Sequence, residues 1–210
     1  MSRITAITGR AIILSEENID TDRIIPARFL KCVVFDNLGK HVFEDDRKAM
    51  RVKGQTHPFD DPRFKGAAIL FVGRNFGSGS SREHAVVGLK RWGMDEGSPG
   101  IGLIVSYGEF SDIFFVNALS NGIPCVIVSK DDFEEFVKKI SEDPCTEMLF
   151  SLERMTLSTG TFTVSCRFQM TNAHMAFLEG SWDTLHLLLK AGKKIEKTME
   201  NLPYLSTVSW

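Results

Sequence analysis

An α/β fold is predicted, on three observations. Short apolar runs at residues 67–72, 102–105 and 124–128 alternate with segments whose apolar residues recur at helical spacing. Glycine or Asn-Gly closes helical segments after Trp92 and after Ser120. The last third then changes to a period of two. Residues 1–210 read as one domain, with a hairpin and helical appendage at about 151–210.

In chain order, GRAIIL at 9–14 reads as the first strand, and NIDTDRIIPARFL at 18–30 has the Asn, Asp and Pro chemistry of an ordered loop before a short helix or strand. The weaker pattern at 32–65 contains FEDDRKAMR and GQTHPFDDPRFKG, which predict a surface excursion carrying one short helix. AAILFV at 67–72 reads as a buried strand stopped by Gly73. From Ser81 to Trp92, residues Ala85, Val86, Leu89 and Trp92 share one helical face, and Gly93 ends the helix. A strand at 102–105, a helix at about 111–120, a strand at 124–128 and a helix at 130–140 follow. RMTLSTGTFTVSCRF at 154–168 alternates around a Thr-Gly turn and reads as a hairpin, and 182–190 and 195–202 read as terminal helices.

The composition narrows the function classes. With 25 basic and 27 acidic side chains, the formal charge of -2 gives no electrostatic reason to expect nucleic acid or an anionic membrane as partner. The apolar stretch before Glu16 and Glu17 is too short for a signal peptide and no later run approaches a membrane span, so a cytoplasmic location is expected. Cys32, Cys125, Cys145 and Cys166 form no CxxC pair, so they read as buried thiols and no metal site is assigned to this chain.

Chemistry concentrates in NFGSGSSREHA at 75–85. Gly77 and Gly79 flank Ser78 just before a helix, so the backbone can turn several N–H groups towards one anion. Arg82 lies in the first turn, and its planar fork suits a carboxylate. Ser80-Ser81-Arg82-Glu83 also fits a capping box, with Ser80 as cap and Glu83 reaching back. The loop lacks the GK[ST] of a phosphate-binding loop and the G-x-S-x-G of a hydrolase elbow. His84 has no second clustered histidine for zinc and reads as a ring that holds the loop by hydrogen bonds.

NFGSGSSREHA resembles the active-site segment of the small subunits of 3-isopropylmalate dehydratase and of the swivelling fourth domain of aconitases. NIDTDRIIPARFL resembles the family's N-terminal substrate loop, YGEFSDIFFVNALSNGIP at 107–124 its strand-to-helix segment, and the ending from Phe177 is similar to that of longer members. The resemblance is thinnest at 32–65. It implies a swivelling β/β/α domain with a mixed, partly barrel-like sheet, and a hydro-lyase that removes and re-adds water on a hydroxy-dicarboxylate. It also implies a large subunit as partner, holding a [4Fe–4S] cluster that acts as Lewis acid on the leaving hydroxyl.

Carried over by position, Ser80 would take the proton α to a carboxylate, Arg82 would bind a substrate carboxylate, and Asp22 would stand near the reacting groups and the large subunit. Ser81 would add a hydrogen bond, Gly79 a close backbone approach, and Thr21 and Arg28 substrate contacts; Gly77, Glu83 and His84 would support them. Asp20 and Thr21 equally fit a turn, and Arg28 could face the partner instead. Many relatives carry Cys where this chain has Ser78, and the usual APWAL-like helix start reads AVVGL here. The implied substrate is isopropylmalate, with citraconate, 2,3-dimethylmalate, homocitrate and citrate as alternatives; Leu30, Val33, Val34 and Phe35 could wall an apolar branch. A reading of another class is a non-catalytic module whose loop holds a carboxylate or phosphate. An RNA-binding role lacks its basic stripe.

Overall fold

A computed structural model describes residues 3–31, 35, 37–79 and 82–202. The first strand, β1 (Ala6–Leu14), is followed by a four-residue helix α1 (Thr21–Ile24), a 3-10 turn at Ala27–Lys31, helix α2 (Glu44–Val52) and strand β2 (Ile69–Val72). Then come α3 (Glu83–Arg91), β3 (Leu103–Ser106), α4 (Asp112–Ser120), β4 (Cys125–Ile127) and α5 (Lys130–Glu142). Strands β5 (Glu147–Ser151), β6 (Thr156–Thr159), β7 (Phe162–Ser165) and β8 (Arg167–Phe168) precede helices α6 (Ala173–Glu179), α7 (Thr184–Lys190) and α8 (Gly192–Glu200).

The strands form one mixed eight-stranded sheet in the order β7-β6-β5-β1-β2-β3-β4-β8, wrapped partly into a barrel. Strands β1 to β4 run parallel, and every residue of β2, β3 and β4 is buried, as expected where helices cover both faces. Register aligns Leu14 with Val72 and Val72 with Ser106, so the first three parallel strands end level. Above that edge lie the loops where ligands meet open α/β sheets.

Helix α5 covers the sheet through Phe133 and Phe136, whose rings stand 5.5 and 5.6 Å from Phe71. Helix α3 buries Ala85, Val86 and Leu89, the face its spacing predicts. It begins at Glu83, two residues later than expected, and ends at Trp92 with Gly93 in the left-handed region.

Residues 37–66 depart from the expected surface excursion. The segment does carry α2, but Leu38, Phe59 and Phe64 of three 3-10 turns, with Val42 and Phe43 just before α2, are buried in the main core. Turns of three or four residues have no period long enough to read, so the burial was hidden in the sequence.

The hairpin expected at 154–168 is β6 and β7, with Leu157 opposite Val164. It joins the sheet through β5, which pairs antiparallel with β1 and was not expected. Met148 and Phe150 point inward there, but exposed Leu149 between them blurs the alternation. Helix α6 was also unexpected. It lies between two left-handed residues, Asn172 and Gly180. The cysteine expectation holds for Cys125 and Cys166; Cys145 is exposed, on the turn after α5, and Cys32 lies outside the described residues. No described helix is long and apolar enough to cross a membrane.

Candidate functional site

Two loops at the level ends of β1 and β2 zip together. The amide of Asn18 donates to Arg74 O (3.0 Å), those of Gly77 and Ser78 to Ile19 O (2.8 and 3.2 Å), and that of Thr21 to Ser78 O (3.0 Å). Asn75 Nδ2 donates to Asn18 Oδ1 at 2.8 Å. Asn18 and Asn75 adopt φ of 57° and 55°, a conformation Asn tolerates better than other side chains with a β-carbon. At the open side, Tyr107 OH (2.5 Å) and Arg74 Nε (2.8 Å) both donate to Glu17, holding its carboxyl below the usual range.

Glycine is required twice in this zip. Gly77 has φ of +79° and a β-carbon there would overlap the Phe114 ring of α4. At Gly79, φ is +83° and a β-carbon would overlap the Asp20 carboxylate. Asp20 in turn caps α1, its Oδ1 accepting from the Asp22 amide at 2.7 Å. The turn-forming reading of Asp20 is therefore realised, Thr21 is buried beneath it, and the Asp22 side chain is exposed.

Ser80 and Ser81 lie outside the described residues. Their neighbour Arg82 is the N-cap residue of α3, exposed, and no carboxylate pairs with it among the described residues. That sets it apart from Arg74, held by Glu17, and from Arg28, whose fork grips both oxygens of Asp45 at 2.8 Å and also reaches Glu44. With Arg82 at the N-cap, Glu83 is the first helical residue and not the third, so the expected capping box is out of register. Glu83 instead accepts from Asn121 Nδ2 at 3.1 Å, tying the head of α3 to the end of α4. His84 sets its ring edge-on to Phe35 at 4.9 Å, and its buried Nε2 has no hydrogen-bond partner among the described residues. The expectation that it bonds the loop is not met there.

A cavity of about 450 Å³ runs along the outer face of α3 between Phe35, Glu83, Val87, Lys90 and Asn121. Of the residues suggested as an apolar wall, Phe35 borders it, Leu30 is half-buried in the 3-10 turn after α1, and Val33 and Val34 lie outside the described residues. Another cavity, lined by Lys40, Asp60, Trp92 and Asp95, lies away from the loop, and Lys40 is already paired with Asp95.

The described residues assemble no group of three or more His, Cys, Asp or Glu placed to hold a metal ion. Burial also pushes the Cys125 thiol far up and the Cys166 thiol up to about 12, so both stay protonated and unsuited as thiolate ligands. Among the described residues the arrangement offers instead a guanidinium without a carboxylate partner at a helix head and a tightly held glycine loop before it, a pair suited to a carboxylate.

Sequence reasoning overlooked Asn18, Asn75, Glu17 and Tyr107, which fasten the loops. The signal was present, since an asparagine opens each of the two motifs.

Residues 1–130 match the model for the aconitase C-terminal domain. The chain is 41% identical to a 3-isopropylmalate dehydratase small subunit from Synechocystis over 98% of this chain and 96% of that protein. It is 38% identical to one from Thermus thermophilus over 97% of each. Among solved structures, 3-isopropylmalate dehydratase from Methanocaldococcus jannaschii superposes with a TM-score of 0.65 at 22% identity, covering 92% of this chain and 99% of that one.

Proposed function

Because the chain belongs to the aconitase C-terminal domain family, among the small subunits of 3-isopropylmalate dehydratase, we propose that it supplies the serine and arginine half of a two-chain hydro-lyase. Its reaction is the interconversion of 2-isopropylmalate and 3-isopropylmalate in leucine biosynthesis, carried out in the cytoplasm with a large subunit. The observation that carries this reading is the Arg82 guanidinium, unpaired among the described residues, three residues after a glycine loop that a distant segment pins in place.

Dehydration takes a proton from the carbon α to a carboxylate and hydroxide from its neighbour; rehydration returns them in the other order. Ser80 takes the proton. A serine alkoxide is strongly basic and needs stabilisation, which the first turn of α3 and the Arg82 charge supply. Arg82 receives a substrate carboxylate through two parallel hydrogen bonds, and Ser81 adds a third contact. Gly79 lets the substrate approach the backbone, where a side chain would also displace Asp20. Thr21 and Asp22 border the same loop, with Asp22 open towards the large subunit. Arg28 reaches the substrate only by leaving Asp45. The [4Fe–4S] cluster, which supplies Lewis-acid chemistry, is assigned to the large subunit; this chain's described residues make no ligand set for it, and no step here is routed through it.

The test is reconstitution with the cluster-bearing large subunit and assay against isopropylmalate and the smaller hydroxy acids. Ser80→Ala is expected to lower turnover by several orders of magnitude while the complex still assembles. An active Ser80→Ala enzyme would refute the catalytic assignment, and turnover of citraconate or citrate alone would replace the substrate.

A further inference from the structure

Apolar side chains on two helices are left uncovered, and they connect to the site. Helix α4 packs Phe114 against Gly77 and Phe76 on its inner side, while Ile113 and Val116 on its outer side are 59% and 46% exposed. At the far end of α4, Trp182 lies against Gly122, where a β-carbon would come within 2.6 Å of its ring, and Lys90 of α3 stands over the same ring. Trp182 stands just before α7. Helix α7 spans only seven residues, yet Leu185, Leu188 and Leu189 are 66%, 61% and 72% exposed. Leucines this open on a short helix mark a surface awaiting a partner.

We infer that the outer face of α4 and the exposed apolar side chains of α7 form one docking surface, on which the large subunit seats beside the glycine loop. The inference rests on the proposed function, in which the site is completed only by a second, different chain. Continuity supports that occupant, because the surface starts at the helix that touches Gly77 and passes through Trp182 to α7. Charge disfavours a second copy of this chain. Lys190, Lys193, Lys194 and Lys197 outnumber Glu196 and Glu200 on α7 and α8, so two copies of this segment brought face to face would repel.

The experiment measures binding of the full-length chain to its large subunit by calorimetry, comparing wild type, Ile113→Glu/Val116→Glu and Leu188→Glu/Leu189→Glu. Val52→Glu, an exposed apolar position on α2, is the control. Each double variant is expected to raise Kd at least tenfold with unchanged far-ultraviolet dichroism, and the control to leave it within twofold. If a glutamate pair lowers the Tm, the same positions as alanine should still raise Kd. Both double variants binding within twofold of wild type would overturn the docking surface while leaving the function standing. So would a wild-type dimer in sedimentation, or flotation with phosphatidylglycerol vesicles, that these variants abolish without changing Kd. A wild-type chain that does not bind the large subunit would overturn the functional reading itself.

Discussion

Replacing Gly79 by alanine separates two costs that usually arrive together. Gly79 and Gly97 have nearly the same backbone, with φ of +83° and +82°. A β-carbon at Gly97 meets nothing within 4 Å, whereas at Gly79 it overlaps the Asp20 carboxylate, with Cγ 2.6 Å away. Gly97→Ala therefore carries only the left-handed penalty of about 1–2 kcal/mol, partly offset by about 0.4–1 kcal/mol from a stiffer unfolded chain, a net of roughly 1 kcal/mol. Gly79→Ala adds the displacement of Asp20, whose capping bond to the Asp22 amide contributes about 1–2 kcal/mol, and the total reaches roughly 2–3 kcal/mol. At about 2–4 °C per kcal/mol for a chain this long, thermal melting should fall by roughly 2–4 °C for Gly97→Ala and roughly 4–12 °C for Gly79→Ala. Activity of the reconstituted pair should drop for Gly79→Ala alone. Equal melting temperatures for the two variants would refute the close approach of Gly79 to Asp20.

Arg82→Lys keeps the charge but loses the fork. With a charge-assisted bond contributing about 1.5–3 kcal/mol, kcat/KM should fall roughly 10- to 150-fold, and steady-state kinetics indistinguishable from wild type would count against carboxylate binding at this residue. Burial works against the charge of Glu44, but hydrogen bonds from Lys48 and His41 outweigh it and hold the carboxyl at about 2, below the usual 4.5. A carboxylate held down in the fold contributes stability that is full above about pH 4.5 and is lost as pH falls towards 2. Urea titrations should show this loss in the wild type and a flatter acid limb in Glu44→Gln; equal acid limbs would contradict it.

What could be read in advance followed from period and chemistry. The buried strands announce themselves through the unbroken apolar runs at 69–72 and 103–105, and α3 by the spacing of Ala85, Val86 and Leu89. The loop at 75–79 was legible because positive φ demands glycine or asparagine, which are conspicuous letters. What stayed hidden depended on partners distant in sequence. Nothing local says that Asn75 will meet Asn18, that Glu83 will turn to Asn121 instead of capping its own helix, or that Phe59 and Phe64 will join the core from 3-10 turns. Arg28 and Arg82 look alike in the sequence, and the acidic first turn of α2 distinguishes them by engaging the first and leaving the second open.

The zip between 17–21 and 74–78 has a further consequence. Strands β1 and β2 are parallel neighbours, so the chain must leave the sheet after the first half of the zip and return before the second, and everything in between is an excursion closed at both ends. The closure is made of backbone hydrogen bonds and two asparagines, independent of the excursion's contents. Exposed positions of residues 23–66 can therefore change the walls around the loop without moving the loop itself, whereas Ile24, Ile25, Leu38, Val42, Phe43, Phe59 and Phe64 bind the segment to the core and have to stay apolar.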